Sequence, residues 1–138
     1  MHANLACLVL AATASLALSS AQAEDADLVQ CRNAPTGSEQ KQCTQALFQN
    51  AEEEMKKVHA RVMEKAAEGD ARTSGSGDGG AAAAIAASQR AWEIYRDAEC
   101  KGVVGRGGGS GRMVWVFGCL AGKARARIEE LNVPFYRR

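Results

Sequence analysis

The chain has 138 residues, 17 Lys/Arg against 16 Asp/Glu, a formal net charge of +1 and 46% hydrophobic residues. This length fits one small domain rather than two, and its basic stretch is too short to suggest a nucleic-acid partner. Five cysteines in so short a chain turn attention to disulfides and to the compartment in which they form.

Residues 5–21 are almost entirely small or apolar, and Ala21-Gln22-Ala23 reads as a small-x-small cleavage site. The pattern predicts a secretory signal peptide over residues 1–23, with an apolar core too short for a transmembrane segment. Its n-region is weak, carrying His2 but no Lys or Arg. Lipidation at Cys7 fits poorly, because too few residues precede it to hold an apolar core. Cleavage near Ala23 leaves a single domain over 24–138, about 115 residues, whose modest core would gain from staples. That domain would be periplasmic or secreted.

Cys31, Cys43, Cys100 and Cys119 remain after cleavage, an even number that predicts two disulfides in an exported chain. Three pairings are open. Cys31–Cys43 and Cys100–Cys119 are favoured, since each pair brackets a short loop that a helix end could close. Zinc is disfavoured: no C-x-x-C spacing exists, and His59 is the one histidine outside the leader. No metal or other cofactor is expected.

Charge is unevenly placed. Residues 24–100 carry 9 Lys/Arg against 14 Asp/Glu, whereas residues 101–138 carry 8 against 2. Mutual attraction within one fold accounts for this most simply.

In chain order, residues 24–35 read as extended, anchored by Cys31 and ended by Pro35. Thr36-Gly37-Ser38-Glu39 fits a capping box. Leu47, Ala51, Met55, Val58, Val62 and Ala66 then recur at helical spacing, until Gly69 and Asp70 end the helix. Residues 69–80 read as a flexible low-complexity linker. Ala81 to Ala84 restart a helix whose inward stripe is expected at Ile85, Ser88, Gln89, Trp92 and Tyr95. A glycine-rich loop occupies 102–112. A third helix runs from about Met113 to Leu131, with a stripe of Met113, Phe117, Leu120, Ala124, Ile128 and Leu131, and Asn132 and Pro134 stop it. The dense run Val114-Trp115-Val116 could instead be a short extended segment. The fold class is therefore all-α: a small up-down-up bundle of about three helices with two disulfides.

The same residues carry a resemblance. Ser88-Gln89-Arg90-Ala91-Trp92 and Tyr95-Arg96-Asp97-Ala98-Glu99-Cys100 resemble the central AQ-x-x-W-x-x-Y/F-R-D-x-x-C signature of the LprI-like lysozyme-inhibitor family, with Ser88 in the place of the usual Ala. Gly108-Gly109-Ser110 is similar to the family's Gly-Gly-Ser loop. Cys119-Leu120, Arg127 and Leu131 resemble its ending. Cys31 and Cys43 fit its first cysteine pair. Phe48, Ala51, Glu52, Met55 and His59 stand where the family tends to have Tyr, Ala, Asp, Leu and Tyr. Lys123-Ala124 depart from the usual Leu-Thr, Lys56 from a frequent Asn, and residues 69–80 look like an insertion. The resemblance spans about 31–131 and implies a small exported bacterial domain that inhibits lysozyme.

Weighed residue by residue, no constellation points to an enzyme. Glu52-Glu53-Glu54 point in different directions on a helix, so they read as a solvated face rather than an acid–base pair. His59 lacks a nucleophile partner, and the cysteines are better used in disulfides. The glycine-rich loop lacks the G-K-[ST] ending of a phosphate cradle. Gln89, Trp92, Tyr95, Arg96 and Asp97 read as a structural signature, with the aromatics in the core. Arg96 and Asp97 are expected to pair across helices, and Gln89 to bond backbone near the glycine loop. The expected partner-binding loop carries Arg106, Ser110 and Arg112, whose cationic tips suit an acidic cleft such as the two-carboxylate cleft of a lysozyme. Acidic residues of the first long helix, Glu52 to Glu54 with Glu64 and Glu68, could attract a basic lysozyme. The competing function is a structural or accessory envelope protein with an unrelated protein partner.

Overall fold

A computed structural model describes residues 25–73 and 80–133. The expected leader 1–23 with Cys7, positions 74–79 of the expected linker, and Pro134 lie outside the described residues.

The described residues form α1 (Ala26–Arg32), α2 (Gly37–Arg72), α3 (Gly80–Asp97) and α4 (Arg112–Leu131). Between α3 and α4 lie a π-helical segment, Ala98–Val103, and a 3-10 turn, Val104–Arg106. No strand occurs among the described residues, so the expected all-α class holds.

The segment expected to be extended, 24–35, is instead a seven-residue helix. Alone it would be marginal. Asp25 caps it, accepting from the Asp27 N–H at 3.2 Å. Arg125 of α4 pairs with both Asp25 and Asp27. Cys31 joins Cys43 of α2, with Cα atoms 5.3 Å apart. Leu28 lies against Gly118 and Arg32 over the Trp115 ring, so α1 runs antiparallel along α4. The contacts with α4 come from residues far away in sequence, and local periodicity cannot report them.

The capping box at the start of α2 is complete. The Thr36 N–H donates to Glu39 Oε2 at 3.0 Å, and the Glu39 N–H donates back to Thr36 Oγ1 at 3.2 Å. Gln40 Nε2 donates to the Ala34 carbonyl at 2.9 Å and ties the α1–α2 turn. At 36 residues, α2 is about 54 Å long. It passes the expected stop at Gly69 and Asp70 and ends at Arg72. The reason lies in Asp70. Its carboxylate accepts the Ala81 and Ala82 N–H groups at 2.8 and 2.9 Å, so α2 supplies the cap of α3. Gly80 has φ +70°, and a Cβ there would meet the Asp70 carboxylate at 2.4 Å. Only glycine lets the chain pass so close.

Two apolar clusters hold the bundle. Val58 and Val62 of α2 meet Leu131 of α4, with Ile85 and Ile128 alongside. At the other end Cys100, Val116 and Leu120 pack with Phe48, Met113 and Phe117. Thus α2 and α4 run parallel and α3 runs back between those ends, giving the expected up-down-up course. Met55, Leu120 and Leu131 are almost fully buried, each contributing about 2–3 kcal/mol. The run Val114–Val116 is helical, not extended, and its outer residues Val114 and Val116 are buried.

Candidate functional site

The inward face of α3 differs from the expected stripe. Gln89 and Arg96 are buried, Ile85, Ser88 and Trp92 are half-buried, and Tyr95 is 53% exposed. Positions 85, 89, 92, 96 and 100 step by four, three, four and four, so Arg96 takes the inward place expected for Tyr95. Tyr95 lies outside the core because helix geometry gives that angular position to the neighbouring arginine. Its hydroxyl accepts from Lys123 Nζ at 2.8 Å, and the ammonium sits 4.6 Å from its ring.

Burying Arg96 requires partners. Arg96 donates to Glu52 on α2 at 2.8 Å and to Asp97 at 2.9 Å. Asp97, expected to pair across helices, instead accepts from Arg96 beside it and from Lys101 four residues on, at 2.6 Å, because its carboxylate lies next to these two cations of its own segment. Desolvation pulls the Asp97 carboxyl upward, but hydrogen bonds from Lys101 and Arg96 outweigh it and hold it below the ordinary aspartate value. A second buried arginine, Arg127 of α4, donates to Gln89 Oε1 at 3.2 Å, Ser88 Oγ at 3.1 Å and Glu130 at 2.9 Å. The two guanidiniums lie 5.0 and 5.8 Å from the Trp92 ring. Trp92 is therefore a cation–π hinge pin between helices. Gln89 does not reach backbone near the glycine loop. Its amide donates to Met55 Sδ at 3.3 Å and Glu93 at 3.1 Å, because Arg127 claims its oxygen.

Directly after Asp97 the helix widens into its π segment. Within it the buried Cys100 meets Cys119, with Cα atoms 5.5 Å apart. Both favoured disulfides are thus present. The 3-10 turn follows, so the expected loop 102–112 begins as helical turns and only 107–111 is irregular. Gly109, at φ +103°, makes the reversal that returns the chain to α4. The structure gathers Arg106, Ser110 and Arg112 on this stapled turn, all exposed. They line a cavity of about 580 Å³ with Lys101 and the loop glycines. Arg106 and Arg112 make no ion pair with any described residue.

The other candidates are placed elsewhere. Glu52 is engaged by Arg96 and, at 3.8 Å, by Lys56. Glu54 faces Arg61 at 3.8 Å, so the expected acidic stripe is partly neutralised along α2. His59 Nε2 is buried without a hydrogen-bond partner. Burial first, then the charge of Arg127, lowers its pKa against an opposing pull from Glu93. No group of three His, Cys, Asp or Glu that could hold a metal occurs among the described residues.

The family model described as lysozyme inhibitor LprI matches residues 31–131, from the first disulfide cysteine to the last core leucine of α4. The chain belongs to the LprI lysozyme-inhibitor family. Searches of curated proteins and of solved structures return no match. In this LprI domain the signature helix is interior framework: Gln89, Trp92 and Arg96 bind α2 and α4, while Cys100 anchors the turn that carries Arg106 and Arg112. No described helix is long and apolar enough to cross a membrane. The π segment and α1 carry no signal in the local sequence pattern. One sign of the arginines was available, since Arg96 and Arg127 share the helical spacing of the apolar stripes.

Proposed function

We propose that this LprI domain is an exported, non-enzymatic protein that inhibits a lysozyme, acting in the periplasm or outside the cell after cleavage near Ala23. The family match across 31–131 carries this reading. Two disulfides suit an oxidising compartment. Contact is assigned to the stapled turn. Arg106, Ser110 and Arg112 present donors and positive charge on a short, braced projection, and the cleft of a lysozyme presents carboxylates. Bracing matters because a turn held in place before binding loses less entropy on docking. The exposed carboxylates Glu53, Glu64 and Glu68 of α2 give a basic lysozyme a second region of opposite sign.

The decisive assay is turbidity clearing of cell walls by lysozymes of different classes, with and without purified protein. Stoichiometric inhibition of at least one class is expected. No inhibition of any class at molar excess would sink the reading and favour an accessory envelope protein with another partner.

A further inference from the structure

The stapled turn does not end at its cations. Beside the 580 Å³ bowl lies a second hollow of about 310 Å³. The two share Lys101, Gly105, Arg112 and Met113. The second hollow is walled by Phe48 of α2 and Val116, Phe117 and Leu120 of α4. The Phe48 and Phe117 rings stack with centroids 6.2 Å apart, and both are only half-buried. Gly105 joins the two hollows. It is buried, and a Cβ there would lie 3.4 Å from Val116 Cγ2 and 3.5 Å from the Cys100 carbonyl. The bare backbone keeps the turn pressed against α4, so the cationic rim and the apolar wall meet at Arg112–Met113.

Charge decides what suits the bowl. No Asp or Glu lines either hollow. Lys101 is committed to Asp97 from behind. Arg106 and Arg112 are the available cations, each with a planar fork of donors that matches a carboxylate. An isolated anion would fill only the bowl and leave the aromatic wall wet.

Resting on the inhibitor reading, we propose that this composite pocket receives a surface segment of the protein partner in which an Asp or Glu stands next to an aromatic or large aliphatic side chain. The carboxylate is taken between Arg106 and Arg112, and the apolar side chain covers Phe48 and Phe117. The pocket would then select among lysozymes by what flanks a carboxylate, not by net charge. Burying the apolar neighbour also shields the ion pair from water, which strengthens it relative to an exposed pair.

The test uses the 15N-labelled full protein and three probes: acetyl-Phe-Glu-amide, acetyl-Phe-Gln-amide and acetyl-Ala-Glu-amide. The first is expected to shift the amides of 105–113 saturably, with affinity in the millimolar range. Each of the other two should bind about tenfold more weakly, the loss that follows when one of two cooperating contacts is removed. R106E/R112E, both at exposed positions, should abolish the shifts while the amide spectrum elsewhere stays native. Equal binding of the Gln probe, shifts centred outside 105–117, or no shift at saturating probe would overturn the pocket. Lysozyme inhibition read with the same variant separates the two proposals. Dipeptide binding without inhibition supports the pocket and refutes the inhibitor reading. Inhibition that R106E/R112E leaves unchanged refutes the pocket while the inhibitor reading survives.

Discussion

Replacing Arg96 with methionine should destabilise the fold by about 3–4 kcal/mol, within the cost of breaking a buried ion pair by removing one partner. Methionine keeps the apolar stem and removes the guanidinium, so packing loss is small. At the 2.8 Å separation from Glu52, the direct attraction is about 6 kcal/mol in a medium of effective dielectric constant about 20. Desolvation of Arg96 offsets part of it. The Glu52 and Asp97 side chains are 19% and 39% exposed, so water partly replaces the lost partner, which places the net cost at the low end of the range. Loss of the Trp92 contact adds about 0.5–1 kcal/mol. For a domain of this size the melting temperature should fall by roughly 12–20 °C. Urea unfolding followed by circular dichroism measures the change directly, with an unchanged slope. The double variant E52Q/R96M should recover about 1–2 kcal/mol relative to additivity. A cost below about 1 kcal/mol, or strict additivity, would show that Arg96 is not the tie between α3 and α2.

Removing the Cys100–Cys119 bond as C100A/C119A should cost about 3 kcal/mol from the entropy of the loop it closes, across its sequence separation of 19. The same variant should weaken partner binding more than R96M does, since it frees the turn; equal weakening, measured by calorimetry, would contradict the bracing role. His59 gives a pH signature. Its folded pKa lies below the ordinary histidine value of about 6.5, so the unfolded chain binds the proton more readily. Stability should therefore rise with pH up to about 6.5 and fall as pH drops from there towards the lowered folded value. H59Q should flatten that slope in unfolding curves between acid and neutral pH, and an identical slope would assign it to other groups. Asp97, whose pKa is lowered, acts in a separate window, losing its contribution below the ordinary aspartate range.

What the sequence disclosed follows from where each force originates. Thr36 and Glu39 sit three residues apart, and the stripe from Ala51 to Val62 repeats within one helix, so both were legible. The favoured disulfides were legible because short loops limit the options. Arg96 and Arg127 were not, because a charged residue reads as exposed until its partners are known. Glu52 lies 44 residues from Arg96, and Gln89 lies 38 from Arg127. The same holds for Tyr95: its ring reads as core, but the arginine beside it holds the inward position. The α1 helix depends on Arg125, about a hundred residues further along the chain. At the turn, the composition gave Arg106, Ser110 and Arg112 together. The neighbouring apolar wall was hidden, because Phe48 arrives from α2.

Hydrogen exchange with a bound lysozyme tests most directly that the stapled turn is the contact surface. Amides of residues 105–113 should gain protection in the complex, and the inner face of α3 should stay as it was. Protection confined to the exposed face of α2, with the turn exchanging as freely as before, would contradict it.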